Sequence, residues 1–238
     1  MVHQHCALCP VGLLSRATVL HWYPRHVVAS RCCSSLSSVP MSRDCVGRIT
    51  GVIGRSQSGK TTLLVKIAAE YLLDNASANA TVALLCASTI PVPALAAEIR
   101  ELLSKRDPAA IDEQINATLH RVTCLSADDA GEFAQLFARA VDAGCTAVFI
   151  DDVATLLPGG PHTSAAATRF LAQLRSISWK LLMQRPGSAV IVTLPAKSHE
   201  SAPTPFAVGG PSTLVGLCDR LVPCREIRFA STVSVSEP

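Results

Sequence analysis

An apolar run, Ile49-Thr-Gly-Val-Ile53, leads directly into Gly54-Arg55-Ser56-Gln57-Ser58-Gly59-Lys60-Thr61, and an apolar-striped segment follows at once. Few arrangements satisfy that order. The run reads as a short buried strand, and Lys60–Leu73 as a helix with Leu63, Leu64, Ile67 and Tyr71 on one side. The segment between them fits G-x-x-x-x-G-K-[ST] at every fixed position. Its glycines let the chain curl so that successive backbone N–H groups face one anion. The start of the helix adds the positive end of its dipole. On this pattern Gly54, Arg55, Ser56, Gln57, Ser58, Gly59, Lys60, Thr61 and Thr62 are the candidate nucleotide-binding residues. Lys60 suits the β- and γ-phosphates of ATP, and the Thr61 hydroxyl suits Mg2+.

Beyond the loop, strand-like and helix-like segments alternate. Thr81–Cys86, His120–Leu125, Cys145–Ile150 and Ser188–Leu194 read as strands. Pro91–Leu103 reads as a helix with proline in its first turn. Asp128–Val141 reads as another, opened by acids that suit the positive end of its dipole. A long amphipathic helix over Ser164–Gln184 carries Phe170, Leu174, Ile177 and Leu181 on one face. Pro195–Pro211 is a loop rich in Pro and Gly, and Asp219–Val235 alternates in the manner of antiparallel edge strands. Strands alternating with helices predict an α/β fold, a mainly parallel sheet covered by helices on both faces.

Composition agrees. Hydrophobic residues make up 49% of the 238 and charged residues 16%, which excludes a disordered, charge-rich chain. The longest uncharged stretches, such as Asn75–Ala97, include Asn, Ser, Thr and Pro and fall short of the roughly 20 apolar residues a membrane helix needs. The apolar excess belongs to a buried sheet and Ala-rich helices, and no membrane partner is expected.

The formal charge of +3 divides unevenly along the chain. Residues 1–43 hold Arg16, Arg25, Arg31 and Arg43 and no acid, while the other 17 basic residues face all 18 acids. The body is therefore near neutral, and any DNA contact needs a local patch or a partner. Residues 1–45 form an irregular leader or extension, ahead of a nucleotide-binding domain over residues 46–238. Arg and Ser without acids is the composition of a mitochondrial transit peptide, while a natural start at Met41 would make the leader an upstream extension. His3, His5, Cys6 and Cys9 have zinc-like spacing but no second ligand pair follows. Among the ten cysteines, Cys86 and Cys145 fall in apolar runs, where a thiol acts as a small hydrophobe, and reduced thiols are expected.

Ala147-Val-Phe-Ile150-Asp151 is an apolar strand ending in an acid. Beside the phosphate loop, Asp151 would approach Mg2+ through water next to Thr61. Asp152 either polarises an attacking water or caps the next segment, with the cap favoured. Asp151 and Asp152 are thus the candidate catalytic carboxylates, and Thr61 and Asp151 the candidate metal-site residues.

In this order the segments resemble the RecA-type recombinases, and among them the divergent eukaryotic paralogues. Gly47-Arg-Ile-Thr-Gly-Val-Ile-Gly54 with the loop and Thr62-Leu-Leu is similar to the family's glycine-led phosphate loop. Asn116–Leu125 and Phe149-Ile-Asp-Asp-Val-Ala-Thr-Leu-Leu157 resemble its third and fourth strands. Arg169–Ser178 is similar to the long helix after the first DNA-binding loop. Val190–Leu194, Pro205–Gly210 and Cys218-Asp-Arg-Leu221 resemble its fifth strand, second loop and following strand. The resemblance spans about residues 45–230, and only the phosphate loop is specific alone.

The resemblance implies a RecA-like P-loop ATPase core, ATP and Mg2+ as cofactors, and a nuclear role in homologous recombination and DNA repair. The departures imply an accessory subunit rather than a filament-forming enzyme. Ala87-Ser-Thr-Ile90 stands where the family has its catalytic Glu, and Leu194-Pro195 where it has a γ-phosphate-sensing Gln. The loop at about Pro158–Ser164 offers His162 without Lys or Arg. The loop at Pro195–Pro211 offers Lys197, His199 and Phe206 as candidate nucleic-acid contacts. The family's N-terminal helical DNA-binding domain has no counterpart in residues 1–45. The expected partners are other RecA-like paralogues or accessory proteins, with DNA reached through the complex. A non-hydrolysing, nucleotide-stabilised scaffold and an active DNA-stimulated ATPase are the alternatives. A small-molecule kinase would want a lid with several Arg, which the corresponding regions lack.

Overall fold

Four of the strand-forming runs are almost wholly apolar and buried, as strands covered on both faces must be. In the computed structural model, which describes residues 45–75, 79–87, 91–106, 111–157, 165–196 and 216–224, they build one sheet. The elements in chain order are β1 (Ile49–Gly54), α1 (Lys60–Asp74), β2 (Val82–Cys86), α2 (Val92–Arg106), α3 (Ile111–Leu119) and β3 (Val122–Ser126). They continue with α4 (Ala130–Asp142), β4 (Ala147–Asp151), a short 3-10 turn (Val153–Leu156), α5 (Ala165–Gln184), β5 (Ala189–Pro195) and β6 (Arg220–Pro223).

The six strands lie in the order β3-β2-β4-β5-β1-β6, and every pairing among them is parallel. Successive side chains of a strand point to opposite faces, so each strand divides its apolar residues between two layers. Ile49 and Ile53 of β1, Val148 and Ile150 of β4, and Val190, Val192 and Leu194 of β5 pack with Phe133 and Phe137 of α4 and Phe170 and Leu174 of α5. Val52, Ala147, Phe149, Ala189 and Ile191 face the other way, against Leu64, Ile67 and Tyr71 of α1, Leu95 and Ile99 of α2 and Ile115 of α3. Helices therefore cover both faces, as the alternation of elements predicted. Each fully buried large apolar side chain contributes about 1.5–3 kcal/mol.

Local chemistry sets the helix ends. Asp129 caps the helix by accepting a 2.8 Å hydrogen bond from the Glu132 N–H, and the Glu132 carboxylate accepts the Asp128 N–H at 3.4 Å, so α4 starts where acids were expected. Arg121 donates to the Leu72 carbonyl at the end of α1 (2.9 Å) and to the Ala80 carbonyl (3.4 Å). Inside the layer, Tyr71 stacks edge-on against Phe149, and its hydroxyl lies 3.3 Å from the Thr146 carbonyl and 3.2 Å from that of Gly187.

Two expectations need correction. Asn116–Leu119 is the last part of helix α3, and β3 starts only at Val122. The helix is short and buries only Ile115 and Thr118, so its apolar signal is thin. Of Asp219–Val235, the described strand is also not antiparallel. Arg220–Pro223 pairs parallel to β1, with Thr50 opposite Arg220 and Ile53 opposite Pro223. The 24 residues between Pro195 and Arg220 are long enough for a crossover, and crossovers produce parallel neighbours. Asp219 secures this edge by exchanging backbone and side-chain hydrogen bonds with Ile49, at 2.8 and 2.9 Å. Arg175 of α5 reaches the Gly216 carbonyl and lies 3.7 Å from Asp219 Oδ1. The expectations for residues 1–44 and 225–238 lie outside the described residues.

Candidate functional site

In a parallel sheet the carboxyl ends of all strands open on one side, where ligands bind in folds of this class. The segment Arg55–Gly59 leaves β1 at that end and turns into α1. Gly59 heads the helix at φ 88, left-handed backbone that a side chain would strain. The first turn of α1 contains no acid of its own, and Gly59 supplies no side-chain cap to that positive end.

Gly54 is required by close approach. A Cβ there would stand 2.3 Å from Ser58 Oγ and 3.1 Å from Cys224 Cβ. Neighbours hold this corner from two sides. Ala196, just past β5, donates its N–H to the Gly54 carbonyl at 2.9 Å. Cys224, just past β6, donates its N–H to the Ile53 carbonyl at 2.7 Å and its thiol to the Ser58 carbonyl at 3.2 Å. The Ser58 hydroxyl is buried without a hydrogen-bond partner. Lys60 Nζ donates to the Arg55 carbonyl at 2.6 Å and so folds back over its own loop. Arg55, Ser56, Gln57, Thr61 and Thr62 are exposed around it.

The carboxylates stand two strands away, at the end of β4, with β5 between β4 and β1. Asp151 is 7% exposed, and both of its oxygens are held. Thr61 Oγ1 donates to Oδ2 at 2.8 Å, and Thr193 Oγ1 donates to Oδ1 at 2.7 Å. Cys86 of β2 stands opposite Asp151, and burial together with that carboxylate pushes its thiol up to about 12.

Asp152 follows with left-handed backbone, φ 58. It occupies the cap position of the Val153–Leu156 turn, but its carboxylate makes no capping hydrogen bond. Its backbone carbonyl accepts from the Thr155 hydroxyl at 2.8 Å and the Thr155 N–H at 3.2 Å, so any capping here is done by backbone. Partial burial raises the Asp152 carboxyl above the ordinary aspartate range; the charge of Asp151 adds to that and Lys60 opposes it.

The structure thus brings together Gly54–Thr62, Asp151 and Asp152. Thr61 and Asp151 offer hard oxygen donors in contact, which suits Mg2+, an ion usually bound by one or two protein groups plus phosphate oxygens. Among the described residues no three His, Cys, Asp or Glu converge. Of Ala87–Ile90, where the resemblance implied a catalytic Glu, Ala87 is the one described residue, with its N–H on the Asp151 carbonyl at 3.4 Å. Lys197, His199, Phe206 and His162 lie outside the described residues.

Sequence reasoning missed Thr193 and Cys224. Thr193 had a signal, as the only polar residue in Ala189-Val-Ile-Val-Thr-Leu194, a run otherwise buried for its carbon. Cys224 had none, since its place beside the loop depends on the pairing of β6 with β1. The sequence matches no protein-family model and no curated protein.

Proposed function

We propose that this protein binds ATP with Mg2+ through a RecA-like P-loop core. We further propose that it serves homologous recombination and DNA repair as an accessory subunit among RecA-like paralogues. The observation that carries the nucleotide proposal is the 2.8 Å hydrogen bond from Thr61 to Asp151, residues 90 positions apart. A hydroxyl at a helix start and a carboxylate at a strand end are the two protein groups a magnesium–triphosphate needs side by side. The sequence match at Gly54–Thr61 and this contact both support the reading.

The chain's own residues divide the work. The backbone N–H groups of Arg55–Thr62 would receive the phosphate oxygens. Lys60 would exchange the Arg55 carbonyl for the β- and γ-phosphates, a move within reach of a flexible side chain. Thr61, and Asp151 through water, would hold the cation, whose charge offsets that of the phosphates. Equilibrium titration of the full chain with ATP and Mg2+ tests this; saturable binding supports it, and absence of affinity removes it.

Hydrolysis is the finer question. Ala87 brings no carboxylate to the family's catalytic position, which favours a subunit that binds without turnover. Asp152 is the nearby acid whose side chain is not spent on capping, and it supports the active, DNA-stimulated alternative. Turnover that falls in Asp152→Asn and rises with single-stranded DNA would favour the enzyme. The recombination role rests on segment order alone. Recovery of a RecA-like paralogue with the tagged protein supports it, as does nuclear rather than mitochondrial location of the native chain.

A further inference from the structure

Thr193 stands on β5, the strand inserted between the one that leads into the phosphate loop and the one that ends in Asp151. It is 1% exposed in an otherwise apolar strand, so its hydroxyl needs partners, and it has two. Oγ1 accepts the Asp152 N–H at 2.8 Å and gives its own proton to Asp151 Oδ1 at 2.7 Å. Asp151 uses its other oxygen, Oδ2, to accept the proton of Thr61 at 2.8 Å. The result is a linked set in which the Asp152 N–H donates to Thr193, and Thr193 and Thr61 each donate to one oxygen of Asp151.

Direction matters because a hydroxyl has one proton and two lone pairs. With the Thr61 O–H donated in a hydrogen bond to Asp151, the lone pairs of the hydroxyl are available on the side away from the carboxylate. A hydroxyl that ligates a cation has to be in that state. Asp151 keeps Thr61 there only while Oδ2 stays turned toward it, and the bond from Thr193 to Oδ1 fixes that rotation. The anchor is backbone: the Asp152 N–H leaves the Thr193 proton pointing at Asp151.

We infer that Thr193 is a positioning residue for magnesium, acting through Asp151 to keep the lone pairs of the Thr61 hydroxyl available to the cation that accompanies the nucleotide. The inference rests on the nucleotide proposal above. It differs from a merely structural role for Thr193 in its consequence. A strand-end hydrogen bond that only stabilises the fold would, when lost, weaken binding equally with and without magnesium. A positioning bond, when lost, removes the part of the affinity that magnesium supplies.

The experiment uses the full chain and a fluorescent ATP analogue, titrated once with Mg2+ and once with EDTA, for wild type, Thr193→Val and Thr193→Ser. The quantity read is the ratio of the two affinities. Wild type gains affinity with magnesium. Thr193→Val, which keeps shape and loses the hydroxyl, is expected to lower the magnesium-dependent gain about 10-fold, the low end of the usual effect of removing an outer partner at a metal site. Its affinity in EDTA stays at the wild-type value, and Thr193→Ser keeps the gain. Circular dichroism checks the fold, and Thr193→Ala replaces the valine variant if valine does not fold. A magnesium gain unchanged in Thr193→Val overturns this inference and leaves the nucleotide proposal standing. Wild type without affinity for the analogue under either condition overturns both.

Discussion

Gly54 and Ser58 approach each other so closely that a Cβ on the glycine would lie 2.3 Å from the serine Oγ. The contact closes the loop on itself at the point where β1 ends. It also explains why the first glycine of the motif is needed here for space and not for backbone angle, which Gly59 needs at φ 88.

Gly54→Ala should therefore cost about 1–3 kcal/mol of stability through overpacking, and it should weaken ATP binding by moving the loop. Ser58→Ala alone removes a buried hydroxyl that has no partner, and it should be neutral or mildly stabilising. Combined, the two should cost less than the sum, with a coupling of about 0.5–3 kcal/mol, because the second change clears space for the first. Chemical denaturation of the four proteins measures this.

Asp152 should make stability fall as pH rises. Its folded pKa lies above the unfolded value, because partial burial and Asp151 disfavour the charged form. Between those two values the folded state binds more protons than the unfolded state, so raising pH through that window favours unfolding. Asp152→Asn should then be more stable than wild type near neutral pH, with the difference vanishing in acid below the ordinary aspartate pKa. Unfolding curves from about pH 3 to about pH 7 test the sign.

The two ends of the burial scale make a contrasting pair. Phe149 has no exposed surface and meets the Tyr71 ring at a centroid distance of 6.4 Å, so Phe149→Ala should cost about 3–5 kcal/mol. Met183 is 76% exposed on α5, and Met183→Ala should change stability by about 0.5 kcal/mol or less. Urea denaturation midpoints at matched slope would show both.

Much of this architecture is legible in the sequence because burial on both faces leaves a blunt mark. β1, β2, β4 and β5 read as continuous apolar runs, and their expected bounds differ from the observed ones by a residue or two. Helix α3 left a faint mark, since Asp112, Glu113, Asn116 and Ala117 face solvent and Ile115 alone supplies a large buried side chain. The direction of β6 was illegible in principle. Alternation over Asp219–Val235 predicts strands, but not which neighbour they join or which way they run. The site divides the same way. The loop motif and the acid after an apolar strand mark Lys60, Thr61 and Asp151 individually. The role of Thr193 follows from β5 lying between β1 and β4, which only the assembled sheet reveals.

The most direct test is calorimetric titration of the full chain with ATP in the presence of Mg2+, on wild type and Lys60→Ala. Lys60 lies at the loop with its amine on the Arg55 carbonyl and takes no part in the core, so the variant should keep the wild-type unfolding transition. Saturable heat for wild type and none for the folded Lys60→Ala variant is the predicted result. No heat for folded wild type, or equal affinity in the two proteins, would contradict nucleotide binding at this loop.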